Sequence, residues 1–274
     1  MIRNILVNLT TESEQDPAAE YALSLAKKLD ARVVACACAF TPVYPTTTPM
    51  ELLGADYISR SRSAGEDLSR AAILRFEEKA KRAEVETDTR FIVATVAKGA
   101  QWITETARRS DLIVLGQAND DEWDKQRIIE TVLFGSGRPV LVVPFIQKDP
   151  SSLETVVVCW DGSRAAARAV GDALPLLVKA GHVHFVSVTA DGADPADKDE
   201  ILGRIQRHGV KAAAKRLFSD GGDEVSAILN YVSDTGANLI VMGGYGHSRI
   251  REFVLGGVTR GILRSMTAPV LLSH

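Results

Sequence analysis

The order of apolar runs in the first half of the chain recurs, nearly segment for segment, in the second, and that repetition leaves few folds open. Asn4-Ile-Leu-Val-Asn-Leu9 is a short apolar run suited to a strand buried on both faces. Pro17 then stands where a first helical turn tolerates it, and Ala18 to Leu29 places Tyr21, Leu25 and Leu29 on one helix face. A strand over Arg32 to Phe40, a long charged helix from about Ser63 to Glu84 and a strand around Arg90 to Val93 follow. The half ends with a helix around Ala100 to Arg109, a strand Leu112 to Leu115, a polar stretch through Asp120, Asp121 and Trp123, a helix near Ile128 to Phe134, and Pro139-Val-Leu-Val-Val143. Gly135-Ser136-Gly137 reads as a helix stop.

The same series restarts at Thr155-Val-Val-Val-Cys159. It continues through a helix over Ala165 to Leu177, strands at Val183 to Val188 and near Val210 to Ala214, and a helix near Asp199 to His208 between those strands. A helix over about Glu224 to Thr235 and a strand over Asn238 to Met242 complete it, and Ala268-Pro-Val-Leu-Leu-Ser273 mirrors Arg138-Pro-Val-Leu-Val-Val143. Parallel strands need long crossovers, so a strand–helix alternation repeated twice predicts an α/β protein of two tandem Rossmann-like domains. Each is a five-stranded, mostly parallel sheet flanked by helices, over residues 1–147 and 152–274, with the boundary where Lys148-Asp-Pro-Ser-Ser152 breaks the apolar pattern.

Composition removes several function classes. The chain has 274 residues, 46% of them hydrophobic, enough for a sizeable core. Net charge is -3 with acids and bases interspersed, so it lacks the basic face that duplex binding requires, and nucleic acid is not an expected partner. No apolar run approaches a membrane span, and the opening residues are too short and strand-like for a signal peptide, so a cytoplasmic location with no membrane association is expected. Cys36, Cys38 and Cys159 sit in strand-like runs and read as small hydrophobes. His182 and His184 share a strand face, but no nearby Cys or carboxylate completes a metal site. Thr41 to Met50, with three prolines, reads as an exposed loop that could cover a pocket.

The stretch richest in chemistry runs from Asn238 to Leu272. A strand breaks into Gly243-Gly244-Tyr245-Gly246, passes His247, Ser248 and Arg249, and reaches Gly256-Gly257 before a helix and the closing strand. Glycines at the carboxyl end of a parallel strand let backbone N–H groups approach a phosphate, and a following helix start adds donors. They also make tight turns without any ligand, and both readings fit. Asp161-Gly162-Ser163 makes a turn and a helix cap, while a carboxylate at a strand's carboxyl end could accept hydrogen bonds from ribose hydroxyls. The glycines fit neither the phosphate loop ending in Gly-Lys-Ser/Thr nor the dinucleotide fingerprint. The first half offers only Gly116-Gln-Ala-Asn119 in the corresponding place, and its first strand ends Asn8-Leu-Thr10 without an Asp.

Gly243, Gly246 after two residues and Gly256 after nine more, followed by a helix and a Pro-Val-Leu strand, resemble the nucleotide-binding signature of the universal stress protein family. The resemblance covers essentially the whole chain in tandem and implies an adenine nucleotide hydrolase-like fold that binds an adenine nucleotide, ATP, in its second domain. By resemblance the site comprises Asp161 on the adenosine part and Gly243, Gly244, Gly246, His247, Gly256 and Gly257 about the phosphates. The family usually has Ser or Thr directly after the last glycine; here Gly257 stands there. The family commonly pairs through its last strands, so the two halves are expected to form an intramolecular pseudo-dimer, with a homodimer of whole chains left open and any protein partner unknown.

Three readings follow. One is a nucleotide-binding stress-response or signalling protein, with at most slow ATP hydrolysis. The second is an interaction module of the same fold that binds no nucleotide, which Gly257 favours. The third is an enzyme on an adenylated or phosphorylated small molecule, which the lack of an assignable base or nucleophile opposes.

Overall fold

In a computed structural model the chain is described over residues 1–41, 55–119, 121–189, 198–219, 223–244 and 257–274. The first half runs β1 (Asn4–Asn8), α1 (Pro17–Leu29), β2 (Arg32–Phe40), α2 (Ala55–Ala83), β3 (Thr87–Ala94), α3 (Val96–Ala107), β4 (Leu112–Gly116), α4 (Trp123–Gly135), β5 (Val140–Val143). The second runs β6 (Thr155–Cys159), α5 (Arg164–Leu177), β7 (His182–Thr189), α6 (Lys198–Gln206), β8 (Ala212–Phe218), α7 (Glu224–Thr235), β9 (Leu239–Gly243), α8 (Gly257–Ser265), β10 (Val270–Ser273). The repeated α/β order expected from the sequence is therefore the observed one.

The two halves share one ten-stranded sheet, ordered β3-β2-β1-β4-β5-β10-β9-β6-β7-β8. All neighbours are parallel except β5 and β10, which pair antiparallel with Leu141 opposite Leu271. All eight residues of these closing strands are buried, so each covers the apolar edge the other would expose. Strand residues alternate between two cores. One packs against α1, α2, α5 and α6 and includes Leu141, Val143 and Leu271; the other packs against α3, α4, α7 and α8 and includes Val140, Val142, Val270 and Leu272. Both cores cross from half to half. A sheet covered on both faces needs apolar residues at every position, which is why its central strands read as unbroken hydrophobic runs.

The connection between halves is anchored. Buried Ser151 donates its N–H to Ser24 Oγ on α1 at 2.9 Å, and Leu153 enters the first core.

Some boundaries differ from the expected ones. Trp123 opens α4 instead of ending a polar stretch, and α2 begins at Ala55, about two turns before Ser63. The third strand of the second half lies at Ala212–Phe218, beyond the expected Val210 to Ala214. It is the sheet's edge, so half its side chains face water and its apolar signal is weak, whereas Val210 is buried just before it. The Pro-rich loop falls, from Pro42 on, outside the described residues.

Candidate functional site

In the second half, β6 pairs with β7 on one side and with β9 on the other. The chain leaves β6 in one direction and returns on its far side, so the switch point lies between β6 and β9, where open α/β sheets collect ligands. The loop after β6 carries Asp161 and the loop after β9 carries Gly243 and Gly244. The topology thus brings these two stretches, about eighty residues apart in sequence, onto the carboxyl ends of adjacent strands.

Asp161 is exposed. Its Oδ1 accepts the Ser163 N–H at 2.9 Å, Gly162 takes φ 71, and Ser163 caps α5 by accepting the Ala166 N–H at 3.1 Å. The turn-and-cap reading of this tripeptide is therefore realised. Beneath it, buried Trp160 ties β6 to β7, its N–H donating to the Val186 carbonyl and its own carbonyl accepting from Ser187 Oγ at 2.7 Å.

Gly243 is required by close approach. A Cβ there would lie 2.6 Å from both Ala165 C and Ala166 N, backbone atoms of the first turn of α5. Gly244 extends the ladder: its N–H donates to Ser273 O at 2.8 Å and its carbonyl lies 3.3 Å from His274 Nδ1. The Gly244 amide is thus engaged within the sheet. Of the residues that follow, Gly246, His247 and Gly256 lie outside the described residues. Gly257 opens α8, is exposed, and has open space where a Cβ would sit; Thr259, two residues on, is buried.

The matching place in the first half is built differently. The N–H of Thr10, after β1, donates at 2.7 Å to Asp16, whose other carboxylate oxygen caps α1 through the Ala19 N–H at 3.0 Å. A carboxylate does reach the end of this strand, but it is buried and serves the loop; burial raises its pKa while these two amides pull it down. After β4, Gln117 repeats the backbone bond of Gly244, N–H to Val143 O at 2.8 Å, and sends its side chain across the seam. Its Nε2 donates to Leu263 O at 2.9 Å and Arg264 O at 3.2 Å, and its Oε1 accepts from Phe145 N–H at 3.2 Å. Asp16 and Gln117 were not singled out in the sequence. Asp before Pro17 is a legible cap signal, whereas the partner of Gln117 lies 146 residues away.

The family model described as the universal stress protein family matches residues 1–144 and again residues 152–274. The chain belongs to the universal stress protein family. Among curated relatives it is similar to universal stress protein Slr1230 of Synechocystis, 28% identical over 169 residues, covering 59% of this chain and 57% of that protein. It is also similar to universal stress protein YxiE of Bacillus subtilis, 31% identical over 86 residues, covering 27% of this chain and 58% of that protein. The chain thus spans under three fifths of the length of each of these two relatives. A solved universal stress protein from Archaeoglobus fulgidus shares the fold at TM-score 0.72 and 22% identity, over 98% of this chain and 95% of that one. Among the described residues no helix is long and apolar enough to cross a membrane, and no cluster of His, Cys, Asp or Glu is arranged to hold a metal.

Proposed function

We propose that this universal stress protein is a cytoplasmic stress-response or signalling protein of two units, 1–147 and 152–274, that binds one adenine nucleotide, ATP, in the second. The observation that carries the reading is the placement of Asp161 and Gly243 at the carboxyl ends of the adjacent strands β6 and β9, at the switch point of the second half. Asp161 faces ribose or adenine. The phosphates lie against the amides of the glycine segment Gly244 to Gly246 beyond the engaged N–H of Gly244, with His247, and against the start of α8 at Gly256 and Gly257. The first half supports a single site, because its corresponding positions are occupied by the Asp16 cap and the Gln117 tie. Among the described residues no group is placed as an acid, base or nucleophile beside Asp161 and Gly243; occupancy acts on conformation, with hydrolysis slow at most.

A second reading, an interaction module that binds no nucleotide, is favoured by two observations. Gly243 and Gly244 are each accounted for by packing and sheet pairing, and Gly257 removes the family's hydroxyl. Mass spectrometry of material released on denaturing the purified protein separates the readings. An adenine nucleotide in near-stoichiometric amount is expected; its absence, together with no uptake of added ATP, would favour the module.

A further inference from the structure

A cavity of about 530 Å³ opens on the seam between the halves, between the loop after β4 and α4 on one side and α8 on the other. Its wall includes Gln117, Trp123 and Gln126 from the first half and Arg260, Leu263 and Arg264 from the second. Among the described residues, the lining has two guanidinium groups and no carboxylate. Arg260 and Arg264 stand four apart on α8 and so share a helix face. Glu130 on α4, which is not among the lining residues, partly balances Arg260; it is half-buried and accepts a long 3.4 Å hydrogen bond from Gln126 Nε2. Buried Ile129, Val142 and Leu263 supply an apolar floor. Trp123, 71% exposed, offers a large ring in water at the first turn of α4.

A floor of aliphatic carbon, an indole wall and paired guanidiniums fit a small flat molecule carrying one anionic group, and the volume lies within the range of small-molecule sites, roughly 300–1,000 Å³. We propose that this seam cavity is a second ligand site, distinct from the β6/β9 switch point, that takes a small aromatic anion: ring against Trp123 and the apolar floor, charge toward Arg260 and Arg264. Ligand bound there touches both halves. It also touches Gly257, the first residue of α8, whose last carbonyls are held by Gln117. Occupancy therefore bears on the helix that follows the glycine segment; that coupling rests on the nucleotide reading, whereas the binding does not.

The test is fluorescence titration of the full chain with 8-anilinonaphthalene-1-sulfonate, an aromatic anion, beside the uncharged N-phenyl-1-naphthylamine. Saturation at one dye per chain is expected, with at least about tenfold weaker binding in Arg260→Glu and in Trp123→Ala, and no change in Asp161→Ala. The uncharged dye should bind at least about tenfold more weakly than the anion. Trp123 is exposed enough that its removal should leave the fold intact, which circular dichroism verifies, so one informative variant survives even if the other fails to fold. Non-saturating binding, equal affinity for both dyes, an unchanged affinity in folded Arg260→Glu or Trp123→Ala, or loss in Asp161→Ala would each overturn the proposal. Failure of ATP to bind would not.

Discussion

At Gly243 a packing role and a ligand role fall on one residue, and they are separable. A side chain there would drive into the backbone of the first turn of α5, which cannot swing aside as a flexible side chain could. Gly243→Val should therefore lower unfolding stability by about 1–3 kcal/mol with no nucleotide present; a urea midpoint equal to wild type would show that the contact is not obligatory. Gly257 is the opposite case, since open space surrounds its missing Cβ, and a serine fits there without strain. The cysteines form a third case. Burial pushes the thiols of Cys36 and Cys38 up to about 12, and desolvation, with the Asp161 carboxylate beside it, does the same for Cys159. A thiol whose pKa is raised so far is almost entirely protonated, and so unreactive, at neutral pH. An Ellman titration of native protein should find almost no reactive thiol and, in denaturant, all three; fast native reaction would contradict the unreactive reading.

Among the elements, α8 joins the two halves by its end as well as by its face. Gln117 satisfies two of the carbonyls that the end of a helix leaves unpaired, and its Oε1 takes a third bond from Phe145. Gln117→Leu keeps most of the volume and removes all three bonds, so it should cost about 1–3 kcal/mol in denaturant unfolding; an unchanged midpoint would mean that water replaces the side chain. That residue also shows where sequence reading stops. The strands of the central sheet were legible because burial on both faces demands unbroken apolar runs. The caps at Ser163 and the stop at Gly135-Ser-Gly137 were legible because caps are local. The edge strand β8 was displaced because one solvated side dilutes its signal. Gln117, an unremarkable polar residue in a short loop, was invisible because its meaning comes entirely from a helix in the other half. Asp161 and Gly243 stand out by resemblance and by position, and the topology brings their strands side by side; the packing contact of Gly243 depends on where α5 lies and has no local signal.

For the whole molecule, the two halves are joined by one continuous sheet. Separated fragments 1–147 and 152–274 would each expose a closing strand in which every residue is otherwise buried. Each fragment made alone should self-associate or aggregate, and an equimolar mixture should give a one-to-one complex by light scattering. Two well-folded monomers that ignore each other would contradict the role assigned to the β5–β10 pairing. The same asymmetry of the halves underlies the functional claim, one nucleotide site per chain, in the second half. The missing hydroxyl at Gly257 should weaken binding by about 1.5–3 kcal/mol, or roughly one to two decades, without abolishing it. Isothermal calorimetry with ATP on the wild type, Gly256→Val and Gly257→Ser tests this most directly. One weak site is expected in the wild type, with loss in Gly256→Val and tighter binding in Gly257→Ser; two equal sites, or a Gly256→Val variant that binds normally, would contradict a single second-half site.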